Sequence, residues 1–341
     1  MEIALLIDYI RQYYSDRDDL QVINPRNITS GWETEIISFD LYWHSDGESQ
    51  SQSLIARIFP GKGASAKAQS EFSTMKQLRS LEYPVPEVFS VEKNANAIGN
   101  PFLLMERIDG PLLDEKLGVS QAEYEKWLDI FCRLFVKLHQ LDWTIFATNI
   151  EEQAMSDTRF LISSRLARYR TALHEYQKEE LTPVLEWLTK RVQSISSVTP
   201  SITHGDYHPF NILLDKNDNP YVIDWGASSI DDYRKDLAWT MLLSGTFGSM
   251  KLRDDILQNY EKTAQTQVEH IEYFEVAAIL RRLLDISTSM SIGAAELGMR
   301  PDAIEMIKSR VDHIKAVRDR LEDLTEIAIP KIDLLIDELL M

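Results

Sequence analysis

Residues 211–224 read NILLDKNDNPYVID, two apolar runs on either side of Lys216-Asn217-Asp218-Asn219. Asn and Asp side chains bond their own backbone and tolerate turn conformations, so these four residues predict a hairpin turn with a strand on each side. With the turn centred between Asn217 and Asp218, Asn211 and Asp224 each stand about six or seven residues from the centre and meet at the open end. An amide oxygen and a carboxylate at that end form a pair of hard oxygen ligands, the chemistry Mg²⁺ prefers. Asp206 comes five residues before Asn211, close enough for a loop to present it beside the same ion. One carboxylate is then free to accept a proton while two oxygens hold a metal, the layout that phosphoryl transfer needs.

The preceding stretch, SITHGDYHPFNILLD at 201–215, also admits two other readings. His204, Asp206 and His208 fall at i, i+2 and i+4 and would share one face of a strand, which suits a hydrolase built on zinc, manganese or iron. Gly205 and Pro209 oppose a regular strand there, and no second histidine cluster completes a site. The third reading is structural: His and Asp satisfy backbone groups in tight loops, and Pro209 fixes a turn.

Composition narrows the partners. The 341 residues carry a formal net charge of −18, which argues against nucleic acid, whose phosphates demand clustered Lys and Arg, and suits a cationic substrate. No apolar run approaches the roughly 20 residues that span a bilayer, and MEIALLIDYIRQYY, interrupted by Glu2 and Asp8, does not read as a signal peptide. The one cysteine, Cys132, lies among Phe131, Leu134 and Phe135 in a helical pattern and reads as a core thiol. A single cysteine allows no internal disulfide, in keeping with a cytoplasmic protein.

The first hundred residues read as strand, strand, strand, helix, strand, strand. EIISFDLYW at 35–43 sets Ile37, Phe39, Leu41 and Trp43 on one face, and SLIARIF at 53–59 alternates again after a turn at Asp46-Gly47. ASAKAQSEFSTMKQLRSL at 64–81 repeats Phe72, Met75 and Leu78 at helical spacing, and strands follow near 87–92 and 102–107. From about residue 120 the pattern is helical: 121–141, 157–176, 180–198, 250–262, 269–290 and 301–325.

H-G-D-x-x-x-x-N at 204–211 followed by Ile223-Asp224-Trp225-Gly226 resembles the signature of the aminoglycoside phosphotransferase family, related to protein kinases and choline kinases. Asp236-Leu237-Ala238 is similar to a further motif of that family. The resemblance runs to about residue 240, beyond which only the helical character agrees. It implies an α+β, two-lobed protein kinase-like fold, with a β-rich nucleotide-binding lobe over 1–107 and a helical lobe over 108–341 that holds the catalytic loop and substrate site. It further implies a kinase that moves the γ-phosphoryl group of ATP, or GTP, to a hydroxyl of a small cationic molecule such as an aminoglycoside-like antibiotic, amino sugar or amino alcohol. Asp206 would be the base, Asn211 and Asp224 would hold Mg²⁺, and His204, Asp236 and His139 would brace the loop.

The same resemblance gives Arg57, on the face opposite Leu54, Ala56 and Ile58, the task of binding the nucleotide phosphates, oriented by Glu71. Kinases usually place lysine there; arginine keeps the charge and binds phosphate bidentately. FLLMERIDG at 102–110 is similar to the hinge strand, with backbone groups of Glu106 and Ile108 offered to adenine. ITSGWETE at 28–35 takes the place of the phosphate-covering loop with Gly31 as its one glycine, while PGKGAS at 60–65 lacks the order of a Walker loop. Asp231, Asp232, Asp285 and Glu296 are candidates to line an acceptor pocket, though each by itself reads as a solvated acid. A degenerate nucleotide-binding scaffold is the alternative function, favoured by the thin glycine loop and by Arg57.

Overall fold

The computed structural model describes residues 2–28, 34–94, 97–146, 159–195, 197–293 and 303–340. The chain divides into two compact units. The described residues up to Pro111, together with Ile212–Gly226, belong to the first; Leu112–Asn211, Ala227–Gly293 and Ile304–Met341 belong to the second.

In the first unit, α1 (Glu2–Tyr13) precedes β1 (Gln21–Ile28), β2 (Glu35–Ser45) and β3 (Glu48–Ile58), and α2 (Ala64–Ser80) precedes β4 (Val88–Glu92) and β5 (Phe102–Glu106). The strands form one antiparallel sheet in the order β1-β2-β3-β5-β4. Period-two alternation puts Ile37, Phe39 and Leu41 of β2, Leu54, Ala56 and Ile58 of β3, and Phe102 and Leu104 of β5 into one core. Leu6 and Ile10, one helical turn apart on α1, fill the same core, so a helix that the strand pattern does not announce completes it. The β2–β3 turn is Asp46-Gly47, both residues at positive φ (53° and 83°), the conformation a two-residue hairpin loop demands.

The buried stripe of α2 is Ala64, Ala68, Glu71, Met75 and Leu78. Phe72, expected on that apolar face, is half-buried, and a glutamate takes its place in the interior. The short hairpin of β7 (Ile212–Leu214) and β8 (Pro220–Val222) pairs Ile212 with Val222 and Leu214 with Pro220, which centres it on Asn217, half a residue earlier than the sequence suggests. Asp215 sets that register. Its Oδ1 accepts from the Asn217 and Asn219 amides at 2.8 Å each, and its Oδ2 from Asn219 Nδ2 at 2.9 Å. Val222 N–H donates to Pro84 O at 2.8 Å, and Trp225 packs edge-on against Tyr83, which fixes the hairpin to the chain before β4.

The second unit is mainly helical: α3 (Leu113–Leu117), α4 (Gln121–His139), α5 (Phe160–Glu175), α6 (Thr182–Arg191), α7 (Tyr233–Leu243), α8 (Met250–Ala264), α9 (Ile271–Ile292), α10 (Ala303–Lys308), α11 (Val311–Thr325) and α12 (Pro330–Leu340). A two-stranded ladder of β6 (Pro200–Thr203) and β9 (Ser229–Asp232) stands beside them. The single helix expected over 301–325 is two, broken before Val311. Helix α7 carries no amphipathic signal because nearly its whole surface is buried, from Asp236 through Leu243. Among the described residues no helix is long and apolar enough to cross a membrane.

Gly110 is needed for a close approach: a Cβ there would lie 1.8 Å from Leu214 O. Overpacking of this kind costs about 1–3 kcal/mol. Gly110→Ala should therefore lower the melting temperature in a thermal unfolding scan, and an unchanged midpoint would show that β7 yields freely.

Candidate active site

Each unit contributes a group of polar side chains. In the first, β3 turns Arg57 to the face opposite the core, and the guanidinium stands between two carboxylates. Arg57 Nη1 is 3.5 Å from Glu71 Oε1, and Nη2 donates to Asp224 Oδ1 at 2.6 Å. Glu71 is fully buried, which explains its place in the α2 stripe: the adjacent arginine offsets the cost of taking its charge out of water. A methyl on Gly226 would stand 3.6 Å from Glu71 Oε2 and 3.9 Å from Asp224 Oδ1, so both acids converge on this turn. Asp224 has φ 67°, a left-handed conformation uncommon for any residue but glycine and kept where the surroundings impose it.

The hinge candidates lie in the same unit. Glu106 ends β5 and its N–H donates to Glu87 O at 2.8 Å, so only its carbonyl is left to face a base; Ile108 follows two residues later. Gly31 lies outside the described residues, as does Glu296.

In the second unit the loop after β6 is organised around Asp236 of α7. Its carboxylate is completely buried. It accepts the His204 amide at 2.6 Å and the Gly205 amide at 2.8 Å, and lies 3.3 Å from His139 Nε2. Burial pushes the Asp236 carboxyl up, but the His139 contact and the fields of His139, His204 and Lys235 outweigh it and hold the group below the usual carboxylate range. Gly205, at φ 82°, has no room for a side chain: a Cβ would stand 2.3 Å from Ala227 O. His204 is buried, and its Nδ1 accepts the Asp206 amide at 3.2 Å. These contacts leave Asp206 with its carboxylate partly exposed at the loop's apex.

Three side chains address that carboxylate. Trp239 Nε1 donates to Asp206 Oδ1 at 2.8 Å, and His208 Nε2 lies 3.5 Å from Oδ2. Arg281 donates from Nη1 to Gly205 O at 2.8 Å with its guanidinium 3.8 Å over the Trp239 ring. Burial acts to raise the Asp206 carboxyl, yet His208, Trp239 and Arg281 together hold it far below its ordinary range. Asn211 donates from Nδ2 to Asp206 O at 2.9 Å, which spends the amide's donor side and leaves Oδ1 as a hard acceptor. An amide oxygen of this kind is a hard ligand of the sort Mg²⁺ takes. Among the described residues no group of three His, Cys, Asp or Glu could hold a metal, so His204, Asp206 and His208 do not form the hydrolase site that their spacing allows.

Asp231 and Asp232 correct a second expectation. They are neither solvated nor open to a ligand: both are buried, Asp231 against Arg165 and Lys235, Asp232 against Arg234 at 2.7 Å. Trp239 and Arg281 escape sequence reasoning. The tryptophan sits three residues after Asp236 in a helix without amphipathic pattern, and the arginine comes from a helix whose approach to the loop nothing local announces.

The phosphotransferase enzyme family matches residues 35–271 of the chain. An aminoglycoside phosphotransferase assigned in Ralstonia eutropha is 17% identical, superposes with a TM-score of 0.65, and aligns over 94% of this chain and 98% of its own. A thermostable mutant of aminoglycoside phosphotransferase APH(4)-Ia, in ternary complex with ADP and hygromycin B, is 13% identical with a TM-score of 0.57, over 91% of this chain and 97% of that one. At these identities the likeness shows the fold, the two-lobed protein kinase-like one. Among curated proteins, acyl-CoA dehydrogenase family member 11 of Pongo abelii is 26% identical over 174 residues, 49% of this chain and 22% of that protein. The chain thus spans about a quarter of the length of the curated relatives it matches.

Removal of the Asp236 carboxylate leaves two buried amides unsatisfied, at about 1–3 kcal/mol each. Asp236→Ala should therefore lose roughly 2 kcal/mol or more in urea unfolding at neutral pH. Because the folded state favours ionised Asp206 and Asp236, their contribution is complete above the ordinary carboxylate range near pH 4 and is lost as pH falls through the lower folded values. An Asp236→Asn protein should show a flatter acid limb in a stability-versus-pH series; an unaltered limb would contradict this assignment.

Proposed function

The chain belongs to the phosphotransferase enzyme family, and on that premise we propose that it is an ATP-dependent kinase that transfers the γ-phosphoryl group to a hydroxyl of a small molecule. The observation that carries the reading is Arg57 held by Glu71 and Asp224, a cation suited to phosphate whose two carboxylate partners keep it in place. Arg57 would bind the nucleotide phosphates with both amino groups in a fixed fork. Asn211 Oδ1 and Asp224 Oδ1 would hold Mg²⁺, which offsets charge on the phosphates when bound. The Glu106 carbonyl and the Ile108 backbone would meet the base.

Asp206 would orient the acceptor hydroxyl and take its proton as the phosphorus–oxygen bond forms. Held ionised by Trp239, His208 and Arg281, it is a weak base with its charge always in place, so it aligns the hydroxyl throughout and receives the proton late. The proton then passes to solvent at the exposed edge of the carboxylate.

Asp206→Asn keeps the shape and removes the charge. Turnover, read as ADP released from ATP across a panel of hydroxylated compounds, should fall by about 10²–10⁴, the range of general-base assistance, while nucleotide affinity holds. Full turnover in the asparagine protein would exclude Asp206 from the proton transfer.

A further inference from the structure

Three buried acids of the second unit, Asp231, Asp232 and Glu275, already have partners. Asp231 faces Arg165 and Lys235, Asp232 faces Arg234, and buried Glu275 accepts Arg253 Nη2 at 2.7 Å and both Nε and Nη2 of Arg320 at 2.7 and 2.8 Å. The buried arginines of this unit, Arg165 and Arg234, follow one rule, a carboxylate partner for each.

Arg282 departs from it. This side chain on α9 is half-buried, and its Nε donates to His313 Nε2 at 2.8 Å, a neutral acceptor. Among the described residues no carboxylate comes within ion-pairing distance of Arg282. Asp285 and Asp206 reach it only through their fields, and Arg281 beside it adds a like charge. His313 is buried, stacked 3.7 Å from the Phe247 ring, and burial next to Arg282 and Arg310 pushes it down to about 3, so it stays neutral and cannot serve as a counter-charge. A half-buried guanidinium held by a neutral ring retains donors for an anion that no described residue supplies. Its neighbour Arg281 carries the direction: it binds the carbonyl just before Asp206 and lies over the tryptophan that binds the Asp206 carboxylate, with Asp285, at 3.8 Å, as its acid partner among the described residues.

We propose that Arg282, with Arg281 beside it, forms an oxyanion seat next to Asp206, so that the phosphoryl acceptor is a hydroxylated molecule bearing a carboxylate or phosphate group rather than an amine. This rests on the kinase reading for the role of Asp206. The anion docks on the guanidinium pair and directs its hydroxyl to Asp206, one indole away. An acceptor bearing an ammonium group at the same place would face two arginines.

The test is a titration at constant ionic strength with four small probes: 3-hydroxybutanoate, glycerol 3-phosphate, 1,3-butanediol and 4-amino-2-butanol. Binding is read by thermal shift and calorimetry on the wild type and on Arg282→Gln and Arg282→Lys. One or both oxyanions should stabilise the wild type, and neither the diol nor the amine should. Carboxylate against phosphate response identifies which anion is seated. Arg282→Gln should weaken that binding roughly tenfold or more, and Arg282→Lys should restore part of it. The proposal is overturned if no oxyanion binds the wild type, if the amine binds in their place, or if the glutamine protein binds them as well as the wild type does. Mg²⁺-ATP is titrated against the same three proteins. No response to the nucleotide in any of them would remove the kinase reading, whereas a nucleotide response without an oxyanion response removes the seat alone.

Discussion

The loop after β6 depends on one buried carboxylate. Asp236 sits at the start of α7 with no solvent around it, and it is the acceptor for two consecutive backbone amides of the loop and the neighbour of His139. A charge in that position is tolerable only because each of its contacts is a donor or a positive field. In return it fixes the loop where a single φ of 82° at Gly205 reverses the chain, and the reversal leaves Asp206 at the apex. Remove the carboxylate and the two amides have nowhere to go. The loop geometry follows from hydrogen-bond satisfaction more than from apolar packing.

Charge is distributed against the grain of the composition. A chain of net charge −18 would be expected to present acids to its ligand. Yet the interior of the second unit spends its acids on arginines, while the surroundings of Asp206 are rich in cations and donors. The two results are linked: a base ringed by Trp239, His208 and Arg281 stays ionised at any physiological pH. In the first unit a single arginine, Arg57, stands between the carboxylates of Glu71 and Asp224. The net charge of the chain therefore says little about the surroundings of Asp206, which are set locally.

Much of this was legible from residue order. The alternation of β2 and β3 and the turn chemistry of 215–219 are local signals, and each produced the element it suggests. Glu71 was legible as a partner for Arg57, but its burial was not, because a glutamate in a helical stripe reads as a surface position until its counter-charge is placed. Helix α7 has no periodic face, being buried nearly all round, and so gave no signal. The grip on Asp206 by Trp239 and Arg281 joins residues 33 or more apart through α7 and α9. Contacts of that kind come from packing between helices, which no short window contains. The expectation failed at Asp231 and Asp232 for the same reason: both look solvated in sequence, and their arginine partners are set by tertiary packing.

The most direct measurement on the proposed nucleotide site is the thermal stability of the wild type and of Asp224→Ala with ATP and Mg²⁺ supplied separately and together. A ligand bound only by the folded protein raises its melting temperature in proportion to the logarithm of its concentration over Kd. The wild type should rise most when nucleotide and metal are both present, and Asp224→Ala should lose that joint rise while it keeps its fold. Equal shifts in the two proteins, or none in the wild type at millimolar nucleotide, would contradict the assignment of Arg57, Glu71 and Asp224 to a nucleotide-phosphate site.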